Sequence, residues 1–160
     1  MVPRARLEIR PFESPDLGLV RTWLEAEGLG IPAGASHQRW GERLRSDPRI
    51  VYRVGEVDGE PIGFFRLDIG PDRCAEVTIL VVAPARRRGF GGLLLGRAID
   101  EARERQLGRL IAEVRHDNDT ALAFFEDAGF EPNGRQNGPY LQLVRVIHRV
   151  AGQRPLRISP

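Results

Sequence analysis

The residues with the clearest chemical use are Arg86-Arg87-Arg88-Gly89-Phe90-Gly91-Gly92, which lie between an apolar β-type run and a helical stripe. Where a strand hands over to a helix, the first helical N–H groups are unpaired and carry about half a positive charge, which makes a seat for phosphate oxygens. Glycines at 89, 91 and 92 let a bulky anion approach the backbone, and the three arginines add charge beside it. A glycine-rich turn next to a solvated basic patch has the same composition. The motif G-x-x-x-x-G-K-[ST] is absent, and the third glycine and downstream acid of a dinucleotide fingerprint are not in place. For proton transfer the candidates are Glu76, which interrupts an otherwise apolar strand, and His116, whose ordinary pKa of about 6.5 suits a base. Glu113 and Tyr140 are further titratable groups on expected strands. Each has a plain alternative: a solvated carboxylate at 76, an exposed loop for "RHDND", a partly buried strand tyrosine at 140.

These residues need elements to hold them. "LEIRPF" reads as a first strand, and a helix follows with Leu17, Val20, Trp23 and Leu24 on one face. A second helical pattern carries Trp40 and Leu44, with Ser36 as its N-cap. "IVYRVGEVDGEPIGFFRLDI" is a hairpin turning at Asp58-Gly59, and "CAEVTILVVA" is a β-branched strand. From Gly91 to about Gln106, Leu94, Leu95, Ala98, Ile99 and Ala102 form an amphipathic stripe. The strand "RLIAEV" leads to a helix over "TALAFFEDAG", ended by Gly129. "NGRQNG" is a loop by composition, and "YLQLVRVI" is the last strand. The pattern gives a mixed α/β sheet in one domain over residues 1–150, with a tail at 151–160 expected to fray.

Composition bounds the function classes. A chain of 160 residues, 41% hydrophobic, buries one core without staples. The single Cys74 excludes an internal disulfide, and no metal cluster or secretory leader is legible, so a cytoplasmic location is expected. No apolar run approaches the roughly 20 residues that span a bilayer. All 24 basic side chains are arginines, which reads as the codon bias of a GC-rich genome. With 22 acids against them, the net charge of +2 leaves no footprint for nucleic acid.

In these residues the chain resembles the GNAT-type acetyl-CoA-dependent N-acetyltransferases. Arg86 to Gly91 fit the signature [QR]-x-x-G-x-[GA], and "NDTALAFFEDAGF", Asn118 to Phe130, fits a second signature, N-x-x-A ending in G-F. The likeness covers roughly residues 6 to 147, with "VDGEPIGFFRLD" similar to the family's second and third strands. It implies a twisted, mostly antiparallel sheet with a splayed parallel pair and flanking helices. It also implies that the N–H groups of residues 87 to 92 hold the coenzyme A pyrophosphate. The pantetheine arm would then pair with strand backbone near Ile79, Leu80, Val81 and Val82 like an added strand. Pro84 stands two residues before Arg86 where the family spacing has three, so the strand register is open by one. Asn118 fits a helix cap as well as a contact to the pantetheine arm.

The implied reaction is attack by a neutral amine on a thioester, which needs a proton acceptor and a way to stabilise the leaving thiolate. Glu76 is the first candidate base, with His116 and Glu113 behind it, and water-relayed deprotonation is common in the family. Many members protonate the thiolate with a tyrosine, at a position that is Phe125 here. A thiol pKa near 8.5 lets the thiolate leave unaided, and losing an acid costs up to about 10²- to 10⁴-fold. Tyr140 is the alternative donor. The stretch from Trp40 to Pro48 looks similar to members that acetylate amino sugars on nucleotides. That favours an amino-sugar acceptor, with peptide N-termini and aminoglycosides open and Glu25 and Glu27 as candidate amine contacts. A silent acetyl-CoA-binding module is the second reading, and a monomer or homodimer is expected.

Overall fold

A computed structural model describes residues 5–26 and 46–147. The elements run β1 (Leu7–Pro11), α1 (Asp16–Ala26), β2 (Ile50–Val57), β3 (Glu60–Ile69), β4 (Cys74–Val81), a single 3₁₀ turn (Ala83–Ala85), then α2 (Phe90–Glu104). They continue with β5 (Arg109–Arg115), α3 (Asp119–Asp127), β6 (Glu131–Asn137) and β7 (Tyr140–Val146). The expected helix around Trp40 and Leu44 lies outside the described residues, as do Glu27, His37, His148 and the tail.

The described strands form one seven-stranded sheet in the order β1-β2-β3-β4-β5-β7-β6. Neighbours are antiparallel except β4 and β5, a parallel pair bonded only from Cys74↔Arg109 to Glu76↔Ile111. Alternation along β3 and β4 sends Phe65, Leu67, Val77 and Ile79 to one face, where α2 and α3 cover them with Leu94, Leu95, Ala98 and Phe125. Full burial of a Val, Leu or Phe in this set contributes about 1.5–3 kcal/mol. Phe64 and Leu80 point to the other face and pack with Tyr52 beneath Val20, Trp23 and Leu24 of α1.

Three local features fix these elements. Asp58 and Gly59 turn the β2–β3 hairpin with φ of +53° and +78°, the left-handed pair that matches strand twist. The first residue of α1, Asp16, accepts from the Glu13 N–H at 2.7 Å and pairs with Arg10 of β1 at 2.7 Å, which ties the helix start to the sheet edge. Buried Glu101 of α2 is held by Arg53 of β2 at 3.0 Å and Arg105 at 3.5 Å, so the helix is locked in azimuth over the sheet.

One expectation needs correction. "NGRQNG" is not a free loop: most of it belongs to β6, paired with β7 at Gln136↔Leu141 and Asn137↔Tyr140. Residues 133–135 bulge opposite Gln142, with Gly134 at φ +79°. An edge strand takes its conformation from its neighbour, so turn-type composition did not prevent pairing.

Candidate functional site

The glycine turn stands at the upper end of β4. Gly89 has φ +83° and ψ 5°, the left-handed conformation that a side-chain-bearing residue pays for, and it hands the chain to α2. Arg87 at φ +62° makes a similar bend two residues earlier. The first helical bond runs from the Leu93 N–H to the Gly89 carbonyl at 3.2 Å, so the N–H groups of Phe90, Gly91 and Gly92 have no acceptor within the helix. Beside Gly92 there is open space, whereas a Cβ on Gly91 would lie 3.3 Å from Phe124 of α3 and 3.8 Å from Val81. Glycine at 91 therefore serves packing, and at 92 it leaves room for a ligand. Arg86 donates its Nε–H to the Val81 carbonyl at 2.8 Å, and the Arg88 guanidinium stands 5.0 Å over the Phe90 ring.

Below the turn the sheet opens. Past Glu76↔Ile111, β4 and β5 stop pairing, while β5 continues along β7 up to Arg115↔Tyr140. The β5-facing edge of β4 from Val77 to Val81 thus offers backbone groups to an extended ligand. The Leu80 side chain is committed to the core under α1, leaving only its backbone for binding, and Ile79, Val81 and Val82 are half-buried.

Glu76 is the last β4 residue paired to β5 and marks the vertex of this opening. On its face of the sheet, Asp68 of β3 lies directly opposite it, and Glu113 of β5 lies one alternate position above Ile111. Arg66 grips Asp68 with two bonds, 2.8 and 2.6 Å long. The Glu76 carboxyl keeps solvent access, but partial desolvation raises its pKa above the ordinary value, with repulsion from Glu113 and Asp68 adding and Arg66 opposing. A carboxylate lifted in this way is a better proton acceptor for an ammonium group. Tyr52 lies beside this face under α1, stacked on Phe64 at 5.0 Å, and burial raises its phenol pKa.

The remaining expected residues are scattered. Asn118 caps α3, its Oδ1 accepting from the Ala121 N–H at 3.1 Å. Phe125 is 8% exposed and fitted edge-on between Phe124 and Phe130, at 5.2 and 5.1 Å. His116 is exposed in the turn after β5, where its backbone N–H donates to the Pro139 carbonyl. Tyr140 is 38% exposed beside Arg115, which pairs with Asp117. Sequence reading missed Asp68, Arg66 and Phe124, because register across strands and helix contact bring them to the site.

The chain matches the acetyltransferase (GNAT) family over residues 18–130, well over half its length. An uncharacterised N-acetyltransferase of Methanocaldococcus jannaschii is 36% identical over 103 residues, covering 59% of this chain and 44% of that protein. This chain therefore spans less than half the length of that relative. A putative ribosomal protein bS18 alanine N-acetyltransferase of Bacillus subtilis is 26% identical over 117 residues, 72% of this chain and 77% of that one. In fold, the chain is similar to the Vibrio cholerae spermidine N-acetyltransferase solved with CoA and spermine. The TM-score is 0.74 at 22% identity, over 88% and 95% of the two chains.

Proposed function

The chain belongs to the acetyltransferase (GNAT) family, and we propose that it transfers the acetyl group of acetyl-CoA to a primary amine of a small molecule or a protein N-terminus. The observation that carries this reading is the opened β4–β5 pair with a glycine turn above it and a raised-pKa carboxylate at its vertex. The turn at residues 86–92 holds the pyrophosphate by the N–H groups of α2 and the nearby arginines. The pantetheine arm lies along the free edge of β4, which delivers the thioester to the vertex. Glu76 takes the proton of the incoming ammonium, the neutral amine attacks the carbonyl, and coenzyme A leaves as thiolate. Tyr140 is the remaining candidate to protonate that sulfur, since Phe125 has no hydroxyl.

Neighbours named for polyamine and ribosomal-protein acceptors give the amino-sugar preference no support, and Trp40, where the stretch similar to amino-sugar members begins, lies outside the described residues. An acceptor with a free primary amine is the class common to those names. The working location proposed is the cytoplasm; among the described residues no helix is long and apolar enough to cross a membrane.

The test is a thiol-release assay with acetyl-CoA against polyamines, amino sugars and N-terminal peptides, run beside calorimetric titration of the cofactor. Turnover with any amine supports the reading. Phe125 favours one other reading, a silent acetyl-CoA-binding module, and heat without turnover across the panel would decide for it.

A further inference from the structure

We propose that the groove between the outer face of α2 and β7 is a second ligand site, taking a small molecule with phosphate or multiple carboxylate groups. The groove has a volume of about 440 Å³, within the usual span of small-molecule sites. Arg97 and Arg103 from α2 and Arg145 from β7 converge on it, three guanidinium groups against the single carboxylate of Asp100. Gly96 lowers one wall, and Ile99 gives the floor an apolar strip.

Arg103 is only partly committed. Its Nη1 pairs with Asp100 at 3.3 Å and its Nε is closed off from the groove, while the side chain as a whole is 31% exposed. An oxyanion bridging the outer ends of Arg103 and Arg145 meets the bidentate geometry guanidinium favours. Gly92 forms the upper rim, so the groove meets the glycine turn at one end. Arg103, however, lies about 16 Å further down the helix axis. The two anion seats are therefore different, and this one does not depend on the acetyl-transfer reading.

The experiment saturates the protein with coenzyme A to fill the turn, then titrates pyrophosphate and citrate, following heat and melting temperature. Saturable binding with a rise in melting temperature is expected. Arg103→Gln and Arg145→Gln should each weaken it by about tenfold while the affinity for coenzyme A stays the same. Arg109→Gln, an exposed arginine outside the groove, controls for general charge. No binding in the saturated protein overturns the proposal, as does an affinity unchanged from the parent in both groove variants or an equal loss in Arg109→Gln. The melting temperature of each ligand-free variant shows that it folds. If coenzyme A itself gives no heat, the cofactor reading fails, and the same titration on the free protein still judges the groove.

Discussion

The glycine turn at the top of β4 and the carboxylate face around its vertex are two halves of one cleft, built by different means. The turn is made of consecutive residues, and its recognition groups are main-chain N–H donors exposed by backbone conformation. The face is made of single side chains from three strands, Asp68, Glu76 and Glu113, whose meeting depends on register. On the proposed reading, local backbone geometry suits what is constant in the reaction, the cofactor. Side chains delivered from separate strands suit tuning of proton transfer and of the acceptor.

The largest expected effect breaks the first half. Gly89→Val meets no clash, since the space around Gly89 is open, but it forces a branched side chain into φ +83°. Cofactor binding should fall by at least about 100-fold with the fold retained, seen by calorimetry beside circular dichroism. An unchanged dissociation constant would mean the turn is not the cofactor seat.

Next comes Glu76→Gln, which should lower kcat by about 10²- to 10⁴-fold and leave the KM for acetyl-CoA nearly unchanged. Its stability effect runs the other way. The folded-state pKa is raised, so the native protein binds more protons than the unfolded chain between the two values, and Glu76 reduces stability as pH rises through that window. Glu76→Gln should therefore melt at a higher temperature than the parent at pH 7, and converge with it in acid. Loss of activity together with loss of stability would count against a role in proton transfer.

A finer probe is Asp68→Asn. Removing this negative neighbour lowers the Glu76 pKa, so the acidic limb of the pH–rate profile should move to lower pH. A stationary limb would mean that Glu76 is not the titrating group.

The smallest effect is expected at Phe125. Its ring is packed between Phe124 and Phe130, so the hydroxyl of Phe125→Tyr enters an apolar cluster and costs about 1–3 kcal/mol if it finds no partner. The expected change in kcat is below about tenfold. A larger gain would show that this position still reaches the sulfur, and a large loss in Tyr140→Phe would place the acid on β7 instead.

What was legible in the sequence was whatever has a local cause. Asp58-Gly59 announces a hairpin by its dihedrals, the stripe from Leu94 to Ala102 announces α2 by its period, and the turn is readable from its glycines. The strand character of β6 was hidden because its residues are extended by pairing with β7 and by nothing intrinsic. Arg66 and Asp68 were hidden for a related reason. On paper they are ordinary charges on a hairpin strand, and only the β3–β4 register sets them against Thr78 and Glu76. Asn118 allowed two readings, and the bond to the Ala121 N–H shows the cap.

The brief contact between β4 and β5 also bears on how the chain folds. Strands β2, β3 and β4 pair in sequence order across short turns, so those contacts can form early at small cost in loop closure. In the second group β7 lies between β5 and β6, so only β6 and β7 pair as consecutive strands, and among the strands only three residue pairs join the two groups. One core spans both groups, but the hydrogen-bonded seam is narrow, so amides along it should exchange with solvent sooner than those within either group. A ligand lying in the opening and bonding to both sides would act as a missing strand and slow that exchange.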